Sequence, residues 1–103
     1  MEKLVELAKV LRSKNSGPYE ITLDILFDNP ESYHRVLQSG RLTKQSVAKL
    51  YGLKEERIIE FVTFDAALGI KITYLRDIAS GTVGDRDVYG AQQHAPLMGI
   101  EIP

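Results

Sequence analysis

Cysteine is absent from this chain. Disulfides, thiolate nucleophiles, zinc–thiolate sites and iron–sulfur clusters are therefore excluded. An excess of either charge is lacking too: 13 Lys and Arg stand against 14 Asp and Glu, a formal net charge of −1. Such a chain has no field to draw in a phosphate backbone, and nucleic acid is not an expected partner. No apolar run approaches a membrane span, and Met1-Glu2-Lys3-Leu4-Val5-Glu6 lacks the basic-then-apolar order of a leader. The expectation is a whole, cytoplasmic gene product with no membrane contact. The nucleotide-binding glycine fingerprint, the P-loop spacing, the GxSxG elbow and HExxH are also missing. No cofactor and no metal are expected.

What is present is an ordinary globular composition over 103 residues, 44% hydrophobic and 26% charged. That fits a single domain spanning 1–103 with a modest core. The clearest local signal is at 19–27. Tyr19, Ile21, Leu23, Ile25 and Phe27 alternate with Glu20, Thr22, Asp24 and Leu26, which predicts a strand with one buried face, placed centrally. Asn29 and Pro30 then mark a helix start, Tyr33, Val36 and Leu37 form its apolar stripe, and Gly40 ends it. Thr43 caps a second helix with Val47, Leu50 and Tyr51 on its apolar face and Gly52 at its end. The runs 58–64 and 68–75, separated by Asp65-Ala66-Ala67, predict a hairpin with Ile70, Ile72 and Tyr74 on one face and Lys71 and Thr73 on the other. Gly99–Ile102 reads as a last edge strand. For residues 2–12 the spacing of Leu4, Leu7, Ala8 and Leu11 predicts a helix.

Two polar segments carry candidate chemistry. Arg12-Ser13-Lys14-Asn15-Ser16-Gly17 reads as a loop with two cations, two hydroxyls and an amide, able to hold a carboxylate or phosphate. Ser, Asn and Gly equally suit a plain solvated turn. Residues 77–98 read as an irregular stretch too long for a simple connection. Within it, Asp85, Asp87, Tyr89, Gln92, Gln93 and His94 gather carboxylates, a phenol, amides and an imidazole. His94 is the candidate general base, with Asp87 beside it. The two aspartates and one histidine are a thin metal set. The plainer reading is that Gln92, Gln93 and His94 pin the loop to backbone. His34 falls off the helix stripe and reads as exposed. Residues 42–58 resemble a helix-turn-helix by eye, but the would-be recognition helix Lys54-Glu55-Glu56-Arg57 is electrically neutral and one turn long, which excludes it.

Leu7–Pro18 and Asp87–Leu97, with Leu23-Asp24-Ile25 and Ile70-Lys71-Ile72-Thr73, resemble domain-of-unknown-function family 4387 over essentially the whole chain. More distantly, the pattern is similar to the C-terminal ferredoxin-like domain of acyclic-terpene-utilisation proteins. In that pattern a strand runs into an Arg-Ser-Gly-Asp-Lys-Gly-like loop. Arg12-Ser13 matches it and Lys14-Asn15-Ser16-Gly17 departs from it. The resemblance implies a strand over 4–11 and an α+β fold: a mostly antiparallel sheet with two helices on one face, a ferredoxin-like sandwich. It also implies a heteromeric partner, a large subunit related to the terpene-utilisation protein.

Three readings follow. The first is a small accessory subunit that partners such a large protein in catabolism of branched or terpenoid acids. Its polar loops would complete an interface site, with Arg12, Ser13, Lys14, Asn15, Asp85, Tyr89, Gln92 and Gln93 binding ligand or partner. The second is a stand-alone enzyme acting on a carboxylate or acyl substrate with His94 as base. The third is a structural module that forms homo-oligomers. Under the first, the Arg12–Gly17 and Gln92–His94 segments are expected to meet in one polar site.

Overall fold

Alternation decides the centre of the molecule. Ile21, Leu23 and Ile25 have no exposed surface, and their strand β3 (Glu20–Leu26) lies between two others. With β2 (Val10–Gly17), β4 (Ile58–Phe64) and β5 (Gly69–Leu75) it forms a four-stranded antiparallel sheet of order β2-β3-β5-β4. Across the central pair Ile21 faces Tyr74, Leu23 faces Ile72 and Ile25 faces Ile70. The computed structural model describes residues 2–17, 19–75 and 95–103.

Between β3 and β4 run two helices whose ends are set by local chemistry. Helix α2 (Pro30–Ser39) starts where the Asn29 side chain accepts a hydrogen bond from the Ser32 amide at 2.8 Å. It stops at Gly40, whose φ of 71° is left-handed. Helix α3 (Lys44–Tyr51) opens on a reciprocal cap: the Ser46 amide donates to Thr43 Oγ1 at 3.0 Å, and the Thr43 amide donates to Ser46 Oγ at 2.8 Å. Gly52, with φ 66°, ends it. Tyr33 and Val36 of α2 and Val47 and Ala48 of α3 join the strand residues in one core. Leu50 is 43% exposed; Ala48 takes the inward place expected for it. The chain continues through a single 3-10 turn at Glu55–Arg57 into β4, so no recognition helix exists there.

Both β3 and β4 run antiparallel to β5, hence parallel to each other with β5 between them. This is the split β-α-β arrangement of ferredoxin-like folds, with the hairpin strand β2 added on the outer side of β3. The fold is α+β, with an antiparallel sheet and the two helices on one face, as expected. The β4–β5 hairpin forms around a 3-10 turn at Asp65–Ala67, closed by Leu68 at φ 51°.

Three expectations are corrected. The strand implied over 4–11 is divided: Leu4–Leu7 form one helical turn, α1, and the strand β2 starts only at Val10. Leu4 is wholly buried in the core, which holds α1 inward, whereas Val10 onward gains a ladder against β3. Arg12–Gly17 is not a loop but the body of β2; pairing with β3 overrides the turn preference of Ser, Asn and Gly. Tyr19 precedes β3 in a turn and is 53% exposed, so it is not on the buried face.

The chain ends meet. Strand β1 (Glu2–Lys3) pairs with β6 (Glu101–Ile102), the edge strand expected near the C-terminus. Just before it, Ala95–Met98 make a helical turn, α4, within the stretch read as irregular. Leu97 and Ile102 are fully buried beside Leu4 in the same core. Arg35 of α2 clamps this pair: Nη1 donates to Glu2 Oε1 at 2.6 Å and Nε to the Pro103 carbonyl at 2.8 Å.

Candidate functional site

The face of the sheet away from the helices carries the chemistry. Register sorts its side chains into rows. Val10, Leu26, Gly69 and Phe64 make an apolar row. Arg12, Asp24, Lys71 and Val62 form the next, followed by Lys14, Thr22, Thr73 and Glu60. Alternation enforces this, because the intervening residues of each strand point into the core.

At the middle, Thr22 and Thr73 lie directly opposite and share a hydrogen bond at 3.1 Å. Both are nearly buried. The Thr73 hydroxyl also reaches Glu60 Oε1 at 3.3 Å. Two ion pairs flank them, Arg12 Nε to Asp24 Oδ2 at 3.2 Å and Lys71 Nζ to Glu60 Oε1 at 3.6 Å. Both are exposed enough that each contributes little to stability. Their effect is to fix where charge stands on the surface.

A hollow of about 280 Å³ opens here, lined by Ser16, Glu20, Thr22, Ile59, Glu60, Lys71 and Thr73. It presents hydroxyls, one ammonium and two carboxylates. This set can hydrogen-bond a small polar molecule or a partner's side chains. Beside it, Ile59, Val62 and Phe64 of β4 are 47%, 37% and 50% exposed. The β-bulge between Ile58 and Glu60 turns Ile59 toward the hollow. Tyr33 and Tyr51, phenols pushed up chiefly by burial, belong to α2 and α3 on the opposite side of the sheet.

Of the residues singled out from sequence, Arg12 and Lys14 stand on this face as strand residues. Ser13 is buried on the core side opposite Leu23, and Asn15 shares its side opposite Ile21, so the four do not form one anion-binding loop. Asp85, Asp87, Tyr89, Gln92, Gln93 and His94 lie outside the described residues, and so does the expected meeting of Arg12 with the Gln92–His94 segment. Sequence reasoning passed over Glu60, Ile59 and the Thr22–Thr73 pair. The signal for the threonines was available, since the same alternation that buries Leu23 and Ile72 places Thr22 and Thr73 together on the other face. Among the described residues no group of three or more His, Asp or Glu is placed to hold a metal. Among the same residues no helix is long and apolar enough to cross a membrane.

Comparison with curated proteins and with solved structures gives no match. A family model does match, over residues 4–101, that is, from the α1 turn through the sheet to the closing strand β6. The chain therefore belongs to the family described as a domain of unknown function, DUF4387.

Proposed function

We propose that the chain is a small accessory subunit that docks onto a large partner resembling the acyclic-terpene-utilisation proteins, in catabolism of branched or terpenoid acids. The observation that carries this reading is a second set of exposed apolar side chains, separate from the sheet face. Val5 on α1, Leu50 on α3 and Met98 on α4 are each more than a third exposed, and α4 packs against both α1 and α3. Apolar side chains exposed on neighbouring elements are what a docking surface offers a partner. The resemblance at Leu7–Pro18 and Asp87–Leu97 supplies the kind of partner. Recovery from native lysate on the tagged chain tests it: the expected result is one large protein at a fixed ratio, lost with Leu50→Lys while the circular-dichroism melt is kept. Recovery of no large protein, or equal recovery by the variant, overturns it.

A second reading is favoured by the hollow on the sheet. Lys71 offers an ammonium to a carboxylate or acyl ligand, in keeping with a small enzyme that uses His94 as base. Glu20 and Glu60 oppose an anion there. Chemical-shift titration with short carboxylic acids decides it: saturable shifts at Thr22, Lys71 and Thr73 support it, and none up to millimolar acid sinks it.

A further inference from the structure

The charges of the sheet face alternate by strand. β2 presents Arg12 and Lys14, β3 presents Glu20 and Asp24, β5 presents Lys71, and β4 presents Glu60. In spatial order this is plus, minus, plus, minus. Reversing the strand order therefore reverses every sign. We infer that this face packs against the same face of a second copy of the chain, about a two-fold axis parallel to the strands.

The geometry follows from symmetry. Such an axis lays β2 over β4 of the second copy and β3 over β5, and it keeps height along the strands unchanged. Each register row then meets its own reverse. Asp24 faces Lys71 of the other copy, Lys14 faces Glu60 and Val10 faces Phe64, while Arg12 lays its aliphatic stem over Val62 and keeps its guanidinium on Asp24. Opposite charges meet at two of these places and apolar side chains at a third. A two-fold axis across the strands would instead set each strand on its own copy, Arg12 and Lys14 against themselves, and is disfavoured by like charge. The exposed Ile59, Val62 and Phe64 acquire a cover in the favoured arrangement. Twist tilts the stacked sheets by about 30°, so the rows match best at the centre, at Asp24–Lys71. Size sets the strength. Four strands about 4.8 Å apart and seven residues long at about 3.4 Å each give a face on the order of 500 Å² per copy. The total lies below the roughly 1,200 Å² of standard interfaces, so the dimer is a weak one, with a dissociation constant on the order of 100 μM. This inference goes beyond the accessory-subunit reading, which concerns the α1–α3–α4 surface, and either can fail alone.

The absence of cysteine makes the test clean. Single variants Lys14→Cys and Glu60→Cys are mixed and treated with a bis-maleimide reaching roughly 8 Å, since stacked sheets lie about 10 Å apart between backbones. The expected product is a Lys14→Cys/Glu60→Cys heterodimer, with little product from Lys14→Cys alone. In parallel, light scattering of the full chain between about 10 and 500 μM should show mass rising from 11.6 kDa toward twice that value. Phe64→Glu, with an unchanged far-ultraviolet spectrum, should shift the midpoint at least tenfold upward. A mass that stays at 11.6 kDa throughout overturns the inference. Cross-linking of Lys14→Cys mainly to itself, or a dimer indifferent to Phe64→Glu, overturns it as well. Loss of large-partner recovery with Leu50→Lys leaves these results unaffected, which separates the two readings.

Discussion

Leu23 shows what one side chain contributes. It has no exposed surface, sits on the central strand and faces Ile72 and Ser13 across its two ladders. Leu23→Ala should cost about 2–5 kcal/mol, from lost transfer energy plus the cavity left behind. A thermal melt within error of wild type would mean the strand's inner face is not where the structure puts it. Two phenols give a pH dependence. Burial raises Tyr33 above its ordinary 10.0, and its hydrogen bond to Asp65 at 2.6 Å adds to this. Burial likewise raises Tyr51, with the nearby Tyr74 adding. Each folded phenol keeps a proton that the unfolded chain releases. Stability from this source is thus complete below about pH 10 and is lost as pH rises through the folded values. The denaturation midpoint should fall steeply above about pH 10, and Tyr51→Phe should flatten that fall. A wild-type midpoint level from pH 9 to 11.5 would contradict the burial of these groups.

At the scale of elements, the caps and clamps decide which local preferences survive. The Thr43–Ser46 exchange satisfies two amides at the start of α3, so Thr43→Ala should cost about 1 kcal/mol in urea denaturation, and Thr43→Asp less. Equal losses for both would point away from capping. Sequence made α2, α3, β3 and the β4–β5 hairpin legible because each has a strong period and unambiguous ends: Asn29 and Gly40, Thr43 and Gly52, the Asp65–Ala67 turn. It misplaced β2 because Arg12-Ser13-Lys14-Asn15 has weak alternation and turn-forming side chains. Only its partner β3 makes it a strand, and a partner 12 residues away is not a local property. The same holds for the candidate site. Lys71 and Thr73 were assigned to one face by alternation, but that they share it with Arg12, Lys14 and Glu60 depends on the order β2-β3-β5-β4, which no single segment encodes. Arg35 is the plainest omission. Nothing in its sequence neighbourhood indicates that it holds Glu2 and Pro103.

For the whole molecule, those clasped ends matter more than their two-residue strands suggest. Two backbone pairs between β1 and β6 would fray if they stood alone. They do not, because Leu4, Leu97 and Ile102 are fully buried in the same core as Ile21, Ile25 and Val47. The Leu4 amide also donates to the Ile100 carbonyl at 2.7 Å. Terminal residues are usually the first to open, and the exceptions are those tied into a core. The chain ends should therefore unfold with the sheet in one transition. Ile102→Ala tests this directly, since Ile102 lies on the short strand β6 and not in the four-stranded sheet. If the ends are integral, the substitution lowers global stability by about 2–5 kcal/mol, and far- and near-ultraviolet signals fall together. Amide exchange then quickens in proportion at β3 and β5, 27 or more residues away in sequence. Arg35→Ala, which removes only the exposed clamp, should cost less, about 1 kcal/mol. A frayed end would give the opposite pattern: fast exchange confined to residues 2–7 and 99–102 in the wild type, and a midpoint that Ile102→Ala leaves in place. Such a result would remove the ends from the core and leave the four-stranded sheet with α2 and α3 as the folding unit.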